Sequence, residues 1–237
     1  MALPIATTPT YELTVPSTKE VVKYRPFLVK EEKALLIAQQ SENPQTMFDT
    51  LKSVIEACTF KKLDVNKLAT FDIEYIFIQL RAKSVGEISE LVFTCLECND
   101  PKAKMKVSIE LDKLEVNFDK EHSLDVQLYG DVGVKMKYSG IQTINKMKNF
   151  RPDDIQAIFD LIVACIDCIY DADNVYSAND TPKEDLVEFI NNLTQEQFAK
   201  IQKFFETMPK LEKTIEFKCP VCGFDHKQTL SGIEGFF

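Results

Sequence analysis

Two cysteine pairs carry the clearest chemistry in the chain: Cys95-Leu-Glu-Cys98 and Cys219-Pro-Val-Cys222. A two-residue gap lets both thiolates of a pair face one ion from a tight turn. Four thiolates close a tetrahedral shell that suits zinc, with iron the less favoured occupant. Such a shell leaves no open position for water, so the expected ion is structural rather than catalytic. Gly223, directly after the second pair, offers the left-handed backbone that such a turn often needs. Some 120 residues separate the pairs. An ion shared between them would tie the end of the chain to its middle and supply part of the folding energy of a ribbon with little core of its own.

The remaining candidate groups point away from catalysis. Cys165-Ile-Asp-Cys168 repeats the spacing, but inside the apolar run 162–169, which reads as helix. There both thiols fall on one helix face as small core residues, a redox pair being the alternative. Cys58 reads as a core or half-exposed thiol. His226 follows the second pair and, with four cysteines available, is expected at the surface or bonded to a ligating sulfur. His122 stands among charged residues and is expected to be exposed. Two histidines are a poor supply of general bases. There is no phosphate-cradling glycine loop, no Gly-x-Ser-x-Gly elbow and no His-Glu-x-x-His. The acidic pairs Asp153-Asp154 and Glu31-Glu32 sit at helix starts, where they complement the dipole. The chain reads as non-enzymatic.

The elements that must position the four cysteines follow from periodicity. Ile88 to Thr94 leads into the first pair, and the alternating Met105-Lys-Val-Ser-Ile-Glu-Leu111 leads away from it. Thr214 to Lys218 and Phe224 to Leu230 flank the second pair in the same way. Two hairpins with Cys-x-x-Cys tips are the parts of a zinc ribbon. Upstream, residues 30–41 have helical spacing, Asn43 and Pro44 open a second helix, and the stretch 72–81, whose apolar residues nearly surround it, reads as a central core helix ended at Gly86. Between the hairpins, residues 123–129 and 132–138 read as a further hairpin turning at Gly130-Asp131. Helices are expected over 153–170, from the Thr181-Pro-Lys-Glu184 capping box to Asn192, and from the Thr194-Gln-Glu-Gln197 box to Glu206.

The expected fold is α+β, with helical N-terminal and insertion segments and a four-cysteine zinc ribbon formed from two distant β-hairpins. Its parts are an extended arm over 1–20, where Pro4, Pro9 and Pro16 argue against packing, and a strand plus helical bundle segment over 21–86. The ribbon is split over 87–111 and 212–231, and a β-hairpin and helical insertion covers 112–211.

Composition bounds the partners. At 237 residues the chain can bury a sizeable core, and no apolar run approaches a membrane span. The N-terminus lacks the basic start and apolar stretch of a signal peptide, so folding is expected in a reducing cytoplasm, where paired Cys-x-x-Cys favours metal over disulfide. A net charge of −9 repels nucleic acid and anionic membrane. The best basic group is Lys102, Lys104 and Lys106, which would share one solvated strand face.

Two stretches carry a family resemblance: Lys23-Tyr-Arg-Pro-Phe-Leu-Val-Lys-Glu-Glu-Lys-Ala-Leu-Leu-Ile-Ala38 and Phe71-Asp-Ile-Glu-Tyr-Ile-Phe-Ile-Gln-Leu-Arg-Ala-Lys-Ser-Val-Gly-Glu87. With the later Cys-x-x-Cys and Cys-Pro-x-Cys, the chain resembles the T4-type bacteriophage baseplate proteins, the family of the baseplate hub subunit and the hub assembly chaperone. The resemblance implies no catalytic residues. It implies a hub component or hub assembly factor, made in the infected cell's cytoplasm and contacting other tail proteins, either within the virion or only during assembly. Tyr24, Arg25 and Phe27 are then candidate partner-binding residues, since their types are favoured at interface anchors. The alternative is that Phe27 and Val29 pack under the first helix. A nucleic-acid-binding zinc ribbon is the second functional reading, and a thiol oxidoreductase using Cys165 and Cys168 the third.

Overall fold

The structure, a computed structural model, describes residues 7–41, 43–98, 100–140 and 154–236. The chain divides into two compact units, one formed by residues 1–117 with 210–237 and the other by 118–209.

The first unit opens with a hairpin of β1 (Tyr11–Thr14) and β2 (Val21–Tyr24), paired antiparallel with Tyr11 opposite Tyr24. Residues expected as a free arm are thus packed: Leu13 and Val15 are buried, and the Ser17 N–H and hydroxyl both donate to Asp72 at 2.9 and 2.5 Å. The prolines did not prevent this because alternating Tyr11, Leu13 and Val15 supply an apolar face to bury. The first six residues of that expected arm lie outside the described residues.

Helix α1 (Val29–Gln40) follows, then α2 (Pro44–Cys58), whose first turn is capped by the Asn43 side chain accepting from the Gln45 and Thr46 N–H groups. Helix α3 (Thr70–Val85) buries Phe71, Ile73, Ile76, Ile78 and Leu80, and Gly86 ends it at φ 151°. Asp72 caps α3 from within, accepting from the Ala69 N–H at 3.1 Å while holding Ser17. One buried carboxylate therefore fastens the β1–β2 turn to the central helix.

Strands β3 (Ile88–Thr94) and β4 (Lys104–Glu110) form the first expected hairpin, and the chain leaves the unit through β5 (Val116–Asn117). The second unit is built on a four-stranded antiparallel sheet. In chain order its elements are β6 (Asp125–Tyr129), β7 (Val132–Met136), α4 (Ile155–Ala164), β8 (Ile166–Tyr170), β9 (Val175–Ser177), α5 (Lys183–Asn191) and α6 (Gln195–Glu206). Its core holds Leu128, Val134, Met136, Ile166, Ile201 and Phe204. The chain then returns to the first unit as β10 (Lys210–Lys218) and β11 (Asp225–Ser231), with β10 pairing β11 on one edge and β5 on the other.

Three sequence expectations are corrected here. Residues 153–170 are not one helix: α4 stops at Ala164 and the run 166–170 pairs as β8 between β7 and β9. Ile166, Ile169 and Tyr170 are β-formers, and two flanking strands decide their state over local helical spacing. Asp153 lies outside the described residues. The Thr181 capping box does not form, since its hydroxyl donates to the Ser177 carbonyl at 2.8 Å and α5 starts after Pro182. The helical segment and the ribbon fall in one unit rather than two parts. Ile78 and Ala82 of α3 share a core with Ile109, Leu111, Leu211, Ile215, Leu230 and Phe236. Among the described residues, no helix is long and apolar enough to cross a membrane.

Candidate metal centre

The two hairpins bring their tips together. Thr94 faces Lys104 in the last pair of β3–β4, and Lys218 faces Asp225 in the last pair of β10–β11. Each tip is closed by the first cysteine of its pair: the Cys95 N–H donates to the Ala103 carbonyl at 3.0 Å, and the Cys219 N–H to the Phe224 carbonyl at 2.8 Å. Gly223 takes φ 74° and donates back to the Cys219 carbonyl at 3.0 Å. A β-carbon there would be strained in the left-handed region, so the glycine completes the turn.

The four sulfurs of Cys95, Cys98, Cys219 and Cys222 lie within 4.8 Å of one another and could hold a metal ion. Two cross-tip distances are 3.8 Å, Cys95 to Cys222, and 3.9 Å, Cys98 to Cys219. A tetrahedron of sulfurs each about 2.3 Å from a zinc ion has edges of about 3.8 Å, so the donor set fits that group. Cys95 and Cys219 are buried, Cys98 is half-buried and Cys222 exposed. Backbone donors prepare one ligand: N–H groups of Cys222 and Val221 hold the Cys219 thiol down to about 7. The Cys222 thiol, although the Phe224 N–H lowers it, is pushed up to about 12 by desolvation and the neighbouring thiols.

Beneath the sulfurs the hairpins are joined by apolar packing. Ala103 and Met105 bury against Cys95 and Cys219. The rings of Phe93 and Phe217 stack at 4.8 Å, and His226 stacks on Phe217 at 5.3 Å. His226 Nε2 lies 3.3 Å from the Cys95 sulfur, where an N–H would donate to a thiolate and orient it. The aromatic ladder from Phe93 to His226 is a part of the site that the sequence reading missed. Its signal is alternation, since Phe217 and the residue opposite it, His226, occupy one register pair.

The other candidate residues stand apart from this site. Cys165 ends α4, fully buried, its thiol pushed up to about 12 by burial, while Cys168 lies on β8. They do not share a helix face, and a high, buried thiol is the opposite of what a redox pair requires. Cys58 is fully buried and pushed up to about 11 by burial. His122 is not exposed but half-buried, with Nδ1 3.0 Å from the Thr207 hydroxyl and Nε2 3.1 Å from the Tyr138 hydroxyl. Lys104 and Lys106 are exposed on the same face of β3–β4 as Glu90 and Glu110, a face of mixed charge.

Of the candidate partner-binding residues, Tyr24 is buried at 2% exposure. Arg25 donates from Nη2 to Glu31 Oε1 at 2.9 Å, and the Phe27 N–H donates to the Ser84 hydroxyl at 2.9 Å. Tyr24 and Arg25 are thus engaged within the chain. Burial raises the Glu31 carboxyl, but the Arg25 guanidinium and the Leu28 N–H outweigh it and hold the group below the usual carboxylate range. A lowered folded value contributes stability that is present above the unfolded value of about 4.5 and is lost as pH falls through the folded value. Acid unfolding below about pH 4.5 should therefore be shallower for Glu31→Gln than for the natural protein, in denaturant titrations repeated across that range.

A model of the family described as T4 bacteriophage base plate protein matches residues 8–237. The chain is 23% identical over 227 residues to the baseplate hub assembly protein gp26 of Enterobacteria phage T4, covering 96% of this chain and 97% of that relative. No solved structure matches.

Proposed function

Because the chain belongs to the T4 bacteriophage base plate protein family, we propose that it is a non-enzymatic hub component or hub assembly factor that works through contacts with other tail and baseplate proteins. The observation that carries this reading is the end-to-end correspondence with a relative whose name is baseplate hub assembly protein. In this reading the protein is made in the host cytoplasm and acts on the tail baseplate. Cys95, Cys98, Cys219 and Cys222 hold a structural zinc that closes the ribbon, and four thiolates supply rigidity rather than chemistry. The ion's place at the meeting of two hairpins supports that role, since it fixes β3–β4 to β10–β11 at the end farthest from their shared core.

The test is affinity purification of the tagged full chain from phage-infected cells, with mass spectrometry of the eluate and of purified virions. Baseplate or tail proteins should dominate the eluate. Host polymerase or nucleic acid in their place would overturn the reading in favour of a nucleic-acid-binding ribbon. Presence in virions separates a hub component from a factor that leaves after assembly.

A further inference from the structure

The four sulfurs of the metal centre are unequally shielded. Cys95 and Cys219 are buried and Cys98 is half-buried, but Cys222 is exposed, between the exposed Val221 and Gly223. A reagent in water therefore meets Cys222 first. The sulfur facing it from the other hairpin is that of Cys95, 3.8 Å away. Cys219, its neighbour in the same turn, is held to the turn's backbone instead: its sulfur accepts from the Val221 N–H at 3.4 Å. Cys98 faces Cys219 at 3.9 Å. Below the sulfurs, Ala103, Met105 and the stacked Phe93 and Phe217 join the two tips without any ion. The tips thus have a means of staying together when the sulfurs react.

From this geometry we propose that Cys222 is an oxidation site, and that a hydroperoxide converts the metal staple into a covalent one, a Cys95–Cys222 disulfide between the same two hairpins. This rests on the structural-metal reading above and adds a regulation of that site. The Cys222 thiolate attacks one oxygen of hydrogen peroxide, the O–O bond breaks, and hydroxide leaves a sulfenic acid on Cys222. The Cys95 thiolate then attacks the Cys222 sulfur, the S–O bond breaks and a second hydroxide leaves. Two thiolates have lost two electrons and the peroxide has gained them. The sulfurs must close from 3.8 Å to about 2 Å, a movement that side-chain rotation at an exposed tip supplies. Cys98 and Cys219 alone cannot hold a tetrahedral ion, so the metal is released. The new bond joins residues 127 positions apart and constrains the unfolded chain, so it replaces the ion as the tie between β3–β4 and β10–β11. The ribbon is then closed by metal in a reducing compartment and by a disulfide in an oxidising one.

The test treats the full chain, purified reduced and without chelator, with about one equivalent of hydrogen peroxide. Metal content is measured before and after, and disulfides are mapped by peptide mass spectrometry. About one ion should be released per disulfide formed, and the mapped bond should be Cys95–Cys222. Dithiothreitol with added zinc should restore the starting state. The oxidised, metal-free chain should melt close to the metal-loaded one and well above the reduced, metal-free one. Cys98→Ser, which spares both reacting sulfurs, should form the same bond and gain the same rise in melting temperature on oxidation. Cys95→Ser should gain neither. A bond within a pair, a bond between Cys98 and Cys219, a sulfinic acid left on Cys222, or an ion retained with all four thiols intact would each overturn the proposal while leaving the structural metal in place. Protein that holds no metal before peroxide is added would overturn the metal reading. A Cys95–Cys222 bond formed even then would still make Cys222 the oxidation site.

Discussion

Cys219→Ser should reduce bound metal from about one ion per chain to under about a tenth, in protein purified without chelator and assayed by elemental analysis. Three thiolates and a hydroxyl are a poorer donor set, and the lost sulfur is the one that the Cys222 and Val221 N–H groups already favour as thiolate. The natural protein treated with a chelator should behave like the variant. Both should melt lower by on the order of 10 °C, as expected when a ligand held at about a thousand times its Kd is lost from a chain of this size. Metal uptake must also release protons. The Cys222 thiol holds its proton to about 12, so binding at neutral pH displaces it, and affinity should rise with pH. Acidification should release the ion. A chain that keeps its full stability after complete metal removal would dispose of the staple. His226→Ala is the graded companion: it removes only the donor beside Cys95, so metal should still bind, about 10–100-fold more weakly.

Phe236→Ala should cost about 3–5 kcal/mol, the usual penalty for emptying a fully buried aromatic site. Phe236 has no exposed surface and closes the core formed by α3, β4, β10 and β11, against Ile78, Ala82, Ile109, Leu111 and Leu230. Its carbonyl accepts from the buried Ser89 hydroxyl at 2.7 Å, which ties the end of the chain to β3. Gly232, at φ 68°, lets the chain turn back onto Leu230, where Gly235 packs. Removing the last two residues should have an effect at least as large. Denaturant unfolding measures both, with Ile155→Ala as the control. Ile155 is 72% exposed and should change stability by no more than about 0.5 kcal/mol. An effect of Phe236→Ala as small as the control's would mean that the chain end does not seal this core.

The size of these two effects reflects where the molecule concentrates its long-range ties. The cysteine pairs and Phe236 both join the last nineteen residues to strands formed more than a hundred residues earlier. Asp72 does the same on a smaller scale, holding Ser17 to the start of α3.

Local chemistry was legible in the sequence wherever a few adjacent residues settle the backbone. The Asn43 cap and Pro44, the Thr194 to Gln197 capping box and the alternating strands on either side of each cysteine pair all stand where the sequence placed them. The caps join groups within about four positions and the strand faces alternate every two residues, so there sequence spacing is also spatial spacing. The α+β class followed from the same signals, and the two-residue gap in each cysteine pair defined half of a tetrahedral donor set before any fold was known.

What the sequence left open depends on partners far along the chain. The 166–170 run became strand because β7 and β9 pair with it, and the first β-hairpin formed because a buried carboxylate on α3 receives it. Glu31 takes an inward position on α1 because it is buried against Arg25, a pairing that hydrophobic spacing does not reveal. Burial decided these outcomes, since the environment that a side chain meets after folding outweighs the preference of its neighbours in sequence. The sequence by itself determined the two cysteine pairs, the caps and the strand faces. Only the tertiary structure decided that the run 166–170 pairs as a strand, that the chain end seals a core, and which face of α1 remains in water, because each requires surfaces that exist only once the chain has folded.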